Sequence, residues 1–192
     1  MNLRLPRDTA LLLIDFQMAI DHPKWGPRNN PEAEARAGDL LAIWRKAGAP
    51  VLHIRHDSVE PGSPYRPGQQ GHDFKPIVAP RPGERVIAKS TPSAFIGTTL
   101  ESELETIGAT TLVVTGVLTQ NSVETTVRHA GCLGFRVIVV EDATAATDAL
   151  DIKGRLWPAA DVHALSLGLM AGEYAAIASA ETIAGAFARW LR

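Results

Sequence analysis

Short apolar runs recur along the chain, and between them lie longer stretches in which apolar residues return every three or four positions. Uninterrupted runs suit strands covered on both faces, and the wider period suits helices with one buried stripe. Their alternation predicts βαβ units wound around a parallel sheet. Strands are expected at ALLLID (10–15), PVLHIR (50–55), RVIAK (85–89), TLVVTG (111–116), RVIVVED (136–142) and YAAIAS (174–179). Helices are expected over 31–47, 98–107, 122–133, 159–172 and 180–192. Gly48, Gly108 and Gly134 each stand just past one of these helices, as C-terminal caps do. The expected fold class is α/β: one domain over residues 1–192, with a six-stranded parallel sheet flanked by helices on both faces.

Two stretches interrupt the alternation. Between Asp57 and Glu84 the chain is rich in Pro and Gly and has no period, yet it carries Tyr65 and Phe74. Loops of this length in a compact domain serve as lids, binding loops or subunit contacts. A shorter irregular stretch, DHPKWGPRNN (21–30), follows the first strand. Ligands of parallel sheets bind beyond the carboxyl ends of the strands, so both loops are expected where substrate arrives.

Composition narrows the partners. Of 192 residues, 45% are hydrophobic and 21% charged, as in a globular domain. Nineteen basic and 21 acidic side chains give a net charge of −2 with no basic block, so no nucleic-acid partner is expected. The apolar run Ala10 to Ile14 is too short for a membrane span or a signal-peptide core, which leads us to expect no membrane partner and a cytoplasmic location. A single cysteine, Cys132, excludes an internal disulfide and fits a reducing compartment. It is expected to be a small core side chain, too far along its helix to act at the helix start.

Three polar residues stand at or beyond the carboxyl ends of predicted strands: Asp15, Lys89 and Ser122. Ser122 marks a strand-to-helix junction, where unpaired N–H groups favour an anion. A thiolate would exploit that field; a hydroxyl hardly can. Asn121 and Glu124 have capping-box spacing, and Glu124 and Arg128 have the spacing of a surface ion pair. Phe16, Gln17, Trp25, Phe95, Gln120 and Asn121 flank the three polar groups in sequence and are expected to contact substrate. His53, His56 and Asp57 form an H-x-x-H-D cluster, but residues three apart on a strand face opposite sides. No metal and no cofactor is therefore expected, and His56 or Asp57 is assigned to the pocket mouth. His163 and Trp157, around the fourth helix, are expected to face another subunit.

Several motifs together carry a resemblance: D-x-Q at Asp15 to Gln17, K-S-x-x-S-A-F at Lys89 to Phe95, G-V-x-T at Gly116 to Thr119, and T-x-R-x-A at Thr126 to Ala130. The chain resembles the cysteine hydrolases of the isochorismatase-like superfamily, and the likeness extends through WGPRNN, RHDS, GHDFKP and VVEDATA. It implies a Rossmann-like three-layer sandwich and an Asp-Lys-Cys triad mapping to Asp15, Lys89 and the position of Ser122. It also implies a cis peptide between Val117 and Leu118, and an oxyanion hole formed by the N–H groups of Leu118 and Ser122. Asp142, by the same likeness, supports the fold near the site. The zinc ligands of the nicotinamidase branch, an Asp-x-His pattern with a further histidine, are absent.

The implied reaction is hydrolysis of a C–N bond in a small amide or carbamoyl compound, by a homo-oligomer such as a dimer or tetramer. Serine in place of the nucleophile, with no histidine at a matching position, implies an intact pocket and crippled chemistry. A cysteine-to-serine exchange that traps substrate is the leading explanation, ahead of a natural variant and of a non-catalytic binding protein. A vinyl ether hydrolase of the isochorismatase type, using Asp15 as acid, ranks lower. Those enzymes resemble G-V-Y-A-H where this chain has G-V-L-T-Q.

Overall fold

The run Ala10–Ile14 forms strand β1, and all five of its residues are buried. The computed structural model describes residues 3–191. Further strands are β2 (Val51–His56), β3 (Arg85–Lys89), β4 (Thr111–Val117), β5 (Arg136–Ala145), the short β6 (Ala149–Leu150) and β7 (Leu156–Trp157), and β8 (Ala176–Ala178). Helices are α1 (Ala33–Ala47), α2 (Leu100–Thr106), α3 (Glu124–Cys132), α4 (Ala159–Met170) and α5 (Ala180–Phe187). Six strands pair in the order β3-β2-β1-β4-β5-β8, every pair parallel. The winding reverses between β1 and β4, which opens a crevice beyond their carboxyl ends.

Strand alternation sorts the core into two layers. Leu11 and Leu13 of β1 pack with Val113, Ile138 and the inner faces of α1 and α5. Ala10, Leu12 and Ile14 pack the other way, with Leu52, Val114 and residues of α2, α3 and α4. In the first layer the Trp44 ring stacks on Phe187 at 3.9 Å, and its indole N–H donates to the Thr9 carbonyl at 2.8 Å. That bond supplies the partner a buried indole requires.

Several expectations need correction. The helix predicted from Ser122 opens instead with a turn of π-helix, Thr119–Val123, and α3 begins at Glu124. No capping box forms, because Asn121 lies inside this wide turn and no side chain caps α3. Glu124 does pair with Arg128, at 2.8 Å. The helix predicted over 180–192 ends at Phe187 and tightens into a 3-10 turn, Ala188–Leu191; Arg192 lies outside the described residues. The hairpin of β6 and β7 escaped prediction because two-residue strands carry no period; Asp151 shapes its turn by accepting N–H bonds from Lys153 and Arg155. Cys132 is exposed rather than packed in the core, since it ends α3 on the solvent side.

Candidate active site

Asp15 directly follows β1 and takes a positive φ of 55°, a left-handed conformation that Asp tolerates better than most residues. Its N–H still donates to the Ile54 carbonyl, at 2.9 Å, so the sheet holds the bend in place. Lys89 ends β3, in register with His56 of β2. Ser122 sits in the π turn after β4, where the N–H of Val123 reaches back five residues to the Leu118 carbonyl at 3.2 Å. Between Val117 and Leu118 the peptide bond is cis. Gly116 lets β4 approach β1: at φ 141°, a Cβ there would lie 2.4 Å from the Ile14 carbonyl oxygen.

Lys89 joins these groups. Its side chain is wholly shielded from solvent, and its ammonium donates to Asp15 Oδ2 at 2.7 Å and to Ser122 Oγ at 3.2 Å. It also donates to the Thr91 carbonyl at 3.2 Å and approaches His56 Nδ1 at 3.4 Å. The other Asp15 oxygen, Oδ1, is buried without a partner. Above this floor opens a cavity of about 240 Å³ lined by Asp15, Val117, Leu118, Asn121 and Ser122. Trp25 and Lys24 enter it from the 21–30 loop, and Ser58, Ser63 and Tyr65 from the 57–84 loop.

Of the residues expected at the site, Asp15, Lys89, Ser122, Leu118, Trp25, His56 and Asn121 come together here. Four substrate-contact assignments are corrected. Phe16 is buried in the layer facing α1, and Phe95 packs in the opposite layer. Gln17 is fully buried; its amide accepts from the His56 N–H and donates to the carbonyls of His56 and His72. Gln120 turns toward Thr147, 3.3 Å away, rather than lining the cavity. Adjacency in sequence brought these residues to the right strand ends but pointed their side chains elsewhere.

The remaining residues singled out in the sequence take the following places. His163 lies inside the chain, bonding Thr119 Oγ1 at 2.9 Å and the Glu141 carbonyl at 3.0 Å, so it braces the π turn from α4. Trp157 bonds Asp151 within the β6–β7 hairpin. Asp142 accepts from the Ala180 N–H at 2.7 Å and so fixes the start of α5. Within the former H-x-x-H-D cluster, His53 bonds Glu84, whereas Asp57 bonds Arg55 and His72. Burial raises the Asp57 carboxyl pKa, but the hydrogen bonds from Arg55 and then His72 outweigh it and hold it below its usual value.

Tyr65, the centre of an aromatic wall with Trp25 and His56, was not among the residues expected at the site. Tyr65 is 7% exposed and meets Trp25 and His56 edge to face, with ring centres 6.0 and 5.6 Å away. The irregular loop itself was the signal, together with the one tyrosine in it. Burial, then the charge of Asp15, pushes the Tyr65 hydroxyl well above its ordinary pKa. Burial, then the charge of Lys89, holds the His56 imidazole below its own. Both are therefore neutral near pH 7.

A doubly wound sheet whose switch point holds a buried acid, a lysine and a hydroxyl has the architecture of an isochorismatase-like hydrolase. The family profile of the isochorismatase domain matches residues 9–182, and the chain belongs to that family. A solved structure of an isochorismatase-family protein from Chromobacterium violaceum superimposes with a TM-score of 0.95 at 54% identity, covering 97% of both chains. The isochorismatase family protein YrdC of Bacillus subtilis is 39% identical over 178 residues, 93% of this chain and 95% of that protein. The ureidoacrylate amidohydrolase RutB of Klebsiella pneumoniae is 29% identical over 176 residues, 72% of this chain and 74% of that protein.

Proposed function

We propose that this cavity is the active site of a hydrolase for C–N bonds in small amides or carbamoyl compounds, with position 122 as the place of its nucleophile. The observation that carries the reading is the Lys89 ammonium, set between Asp15 Oδ2 and Ser122 Oγ at the floor of the cavity. With cysteine at 122, Asp15 takes the thiol proton and Lys89 stabilises the thiolate beside it. The sulfur attacks the amide carbonyl, and the N–H groups of Leu118 and residue 122 receive the oxyanion. The C–N bond then breaks, the amine leaves with the proton held by Asp15, and water hydrolyses the thioester. Similarity to an amidohydrolase supports this direction of chemistry.

With serine the same pocket binds but turns over poorly. A hydroxyl is far less acidic than a thiol, and Asp15 is a much weaker base than the histidine that serine hydrolases use. Exchange of Ser122→Cys, followed by an assay of ammonia release over a panel of small amides, tests the reading. Appearance of activity supports it; silence across the panel overturns it. Consumption of isochorismate alone would favour vinyl ether hydrolysis.

A further inference from the structure

The interior of the cavity offers an unusual set of polar groups. At the floor, Asp15 Oδ1 is a buried acceptor without a partner among the described residues. Beneath the floor, Lys89 is shielded and already engaged by Asp15, Ser122 and Thr91. The charged side chains at the mouth, Lys24 and Glu60, are exposed and opposite in sign. Their charges offset one another, so a charged substrate entering the interior would lose water without a buried free counter-ion to meet, which is unfavourable.

The wall supplies donors. The Lys89 ammonium lies 3.4 Å from His56 Nδ1, and its positive charge favours a lone pair rather than a proton on that nitrogen. The imidazole proton then sits on Nε2, as a neutral donor. Tyr65 is held between Trp25 and His56, and its hydroxyl has no partner among the described residues. Trp25 contributes only its ring, because its indole N–H donates to the Ala19 carbonyl at 2.8 Å.

We infer that Tyr65 and His56 select the substrate, and that its class is a compact, uncharged amide with a second carbonyl, such as a ureide or a diamide. The floor takes an N–H at Asp15 Oδ1, and the wall donates to the additional carbonyl. The aromatic edges favour a flat molecule. A cavity of about 240 Å³ suits a compact molecule of this kind. This inference rests on the amide reading of the same site.

Calorimetric titration of the Ser122 chain with malonamide, acetylurea, butyramide and malonamate tests it. The first two carry a second neutral carbonyl, the third lacks it, and the fourth is charged. Malonamide or acetylurea is expected to bind about tenfold more tightly than butyramide and malonamate, the worth of one well-placed hydrogen bond. In Tyr65→Phe, with its melting curve unchanged, that advantage should fall to about threefold or less. Equal binding by butyramide or malonamate, an advantage that survives Tyr65→Phe, or no binding by any probe overturns the inference. The parent reading fails separately: Tyr65-dependent binding with no ammonia release from the Ser122→Cys chain would remove C–N hydrolysis and leave the recognition intact. Hydrolysis of butyramide in preference to malonamide would do the reverse.

Discussion

Lys89 Nζ lies 2.7 Å from Asp15 Oδ2, and this contact joins the ends of two strands separated by β2 in the sheet. Both side chains are almost wholly shielded, at 0% and 4% exposure. Removing either partner leaves a buried charge uncompensated, so Asp15→Asn and Lys89→Met should each destabilise the fold by about 3–5 kcal/mol. The double variant removes both charges and should cost less than the sum of the single ones. Urea unfolding of the four proteins measures this coupling; simple additivity would show that the pair does not act as a unit.

Gln17 ties the 57–84 loop to the sheet through one amide, with bonds of 2.7 and 3.1 Å to His56 and 2.9 Å to His72. Gln17→Leu keeps the bulk and strands these backbone groups, at an expected cost of about 3 kcal/mol. Cleavage by a protease near Tyr65 should rise several-fold as the loop opens more often. An unaltered cleavage rate would mean that other contacts hold the loop.

The strand-end groups were legible in the sequence because parallel topology gathers carboxyl ends on one side of a sheet, wherever the strands lie in the chain. Asp15, Lys89 and Ser122 needed only that rule and the order of the elements. Phe16 and Gln17 were misread because the turn after β1 sends successive side chains in different directions. One enters the α1 layer and the other meets the loop. The capping-box spacing of Asn121 and Glu124 was present, but the local motif yields to contacts from α4. Ser166 donates to Glu124 Oε2 at 2.5 Å, and His163 holds Thr119. Tyr65 had no periodic context, and only the folding of its loop over the crevice gives it a position.

Gly116 is where β4 passes closest to β1. An added Cβ would meet the Ile14 carbonyl oxygen at 2.4 Å and Ile14 Cβ at 2.7 Å, both parts of a buried strand with little room to move. Gly116→Ala should cost about 3 kcal/mol through overpacking and the strain of positive φ. It should also weaken ligand binding, since β1 and β4 carry Asp15 and the turn of Ser122. A midpoint within experimental error of the parent in denaturant would refute the close approach.

Away from the site, Glu84 links α1 to β2. Its carboxylate receives two 2.7 Å bonds from Arg45, and further ones from the Arg81 N–H and His53. The Arg45 hydrogen bonds are the main cause that lowers its pKa from 4.5 to about 2. A carboxyl group depressed in the folded state contributes stability that is fully present above its unfolded value, and this is lost as pH falls through the folded one. Glu84→Gln should therefore be less stable than the parent at pH 7, by about 2 kcal/mol after allowance for partial solvent screening. The gap should narrow from about pH 5 downward and nearly close by pH 2, as the parent carboxyl becomes protonated. Stability curves for parent and variant that run parallel between pH 7 and pH 3 would show that Glu84 is not held ionised by Arg45.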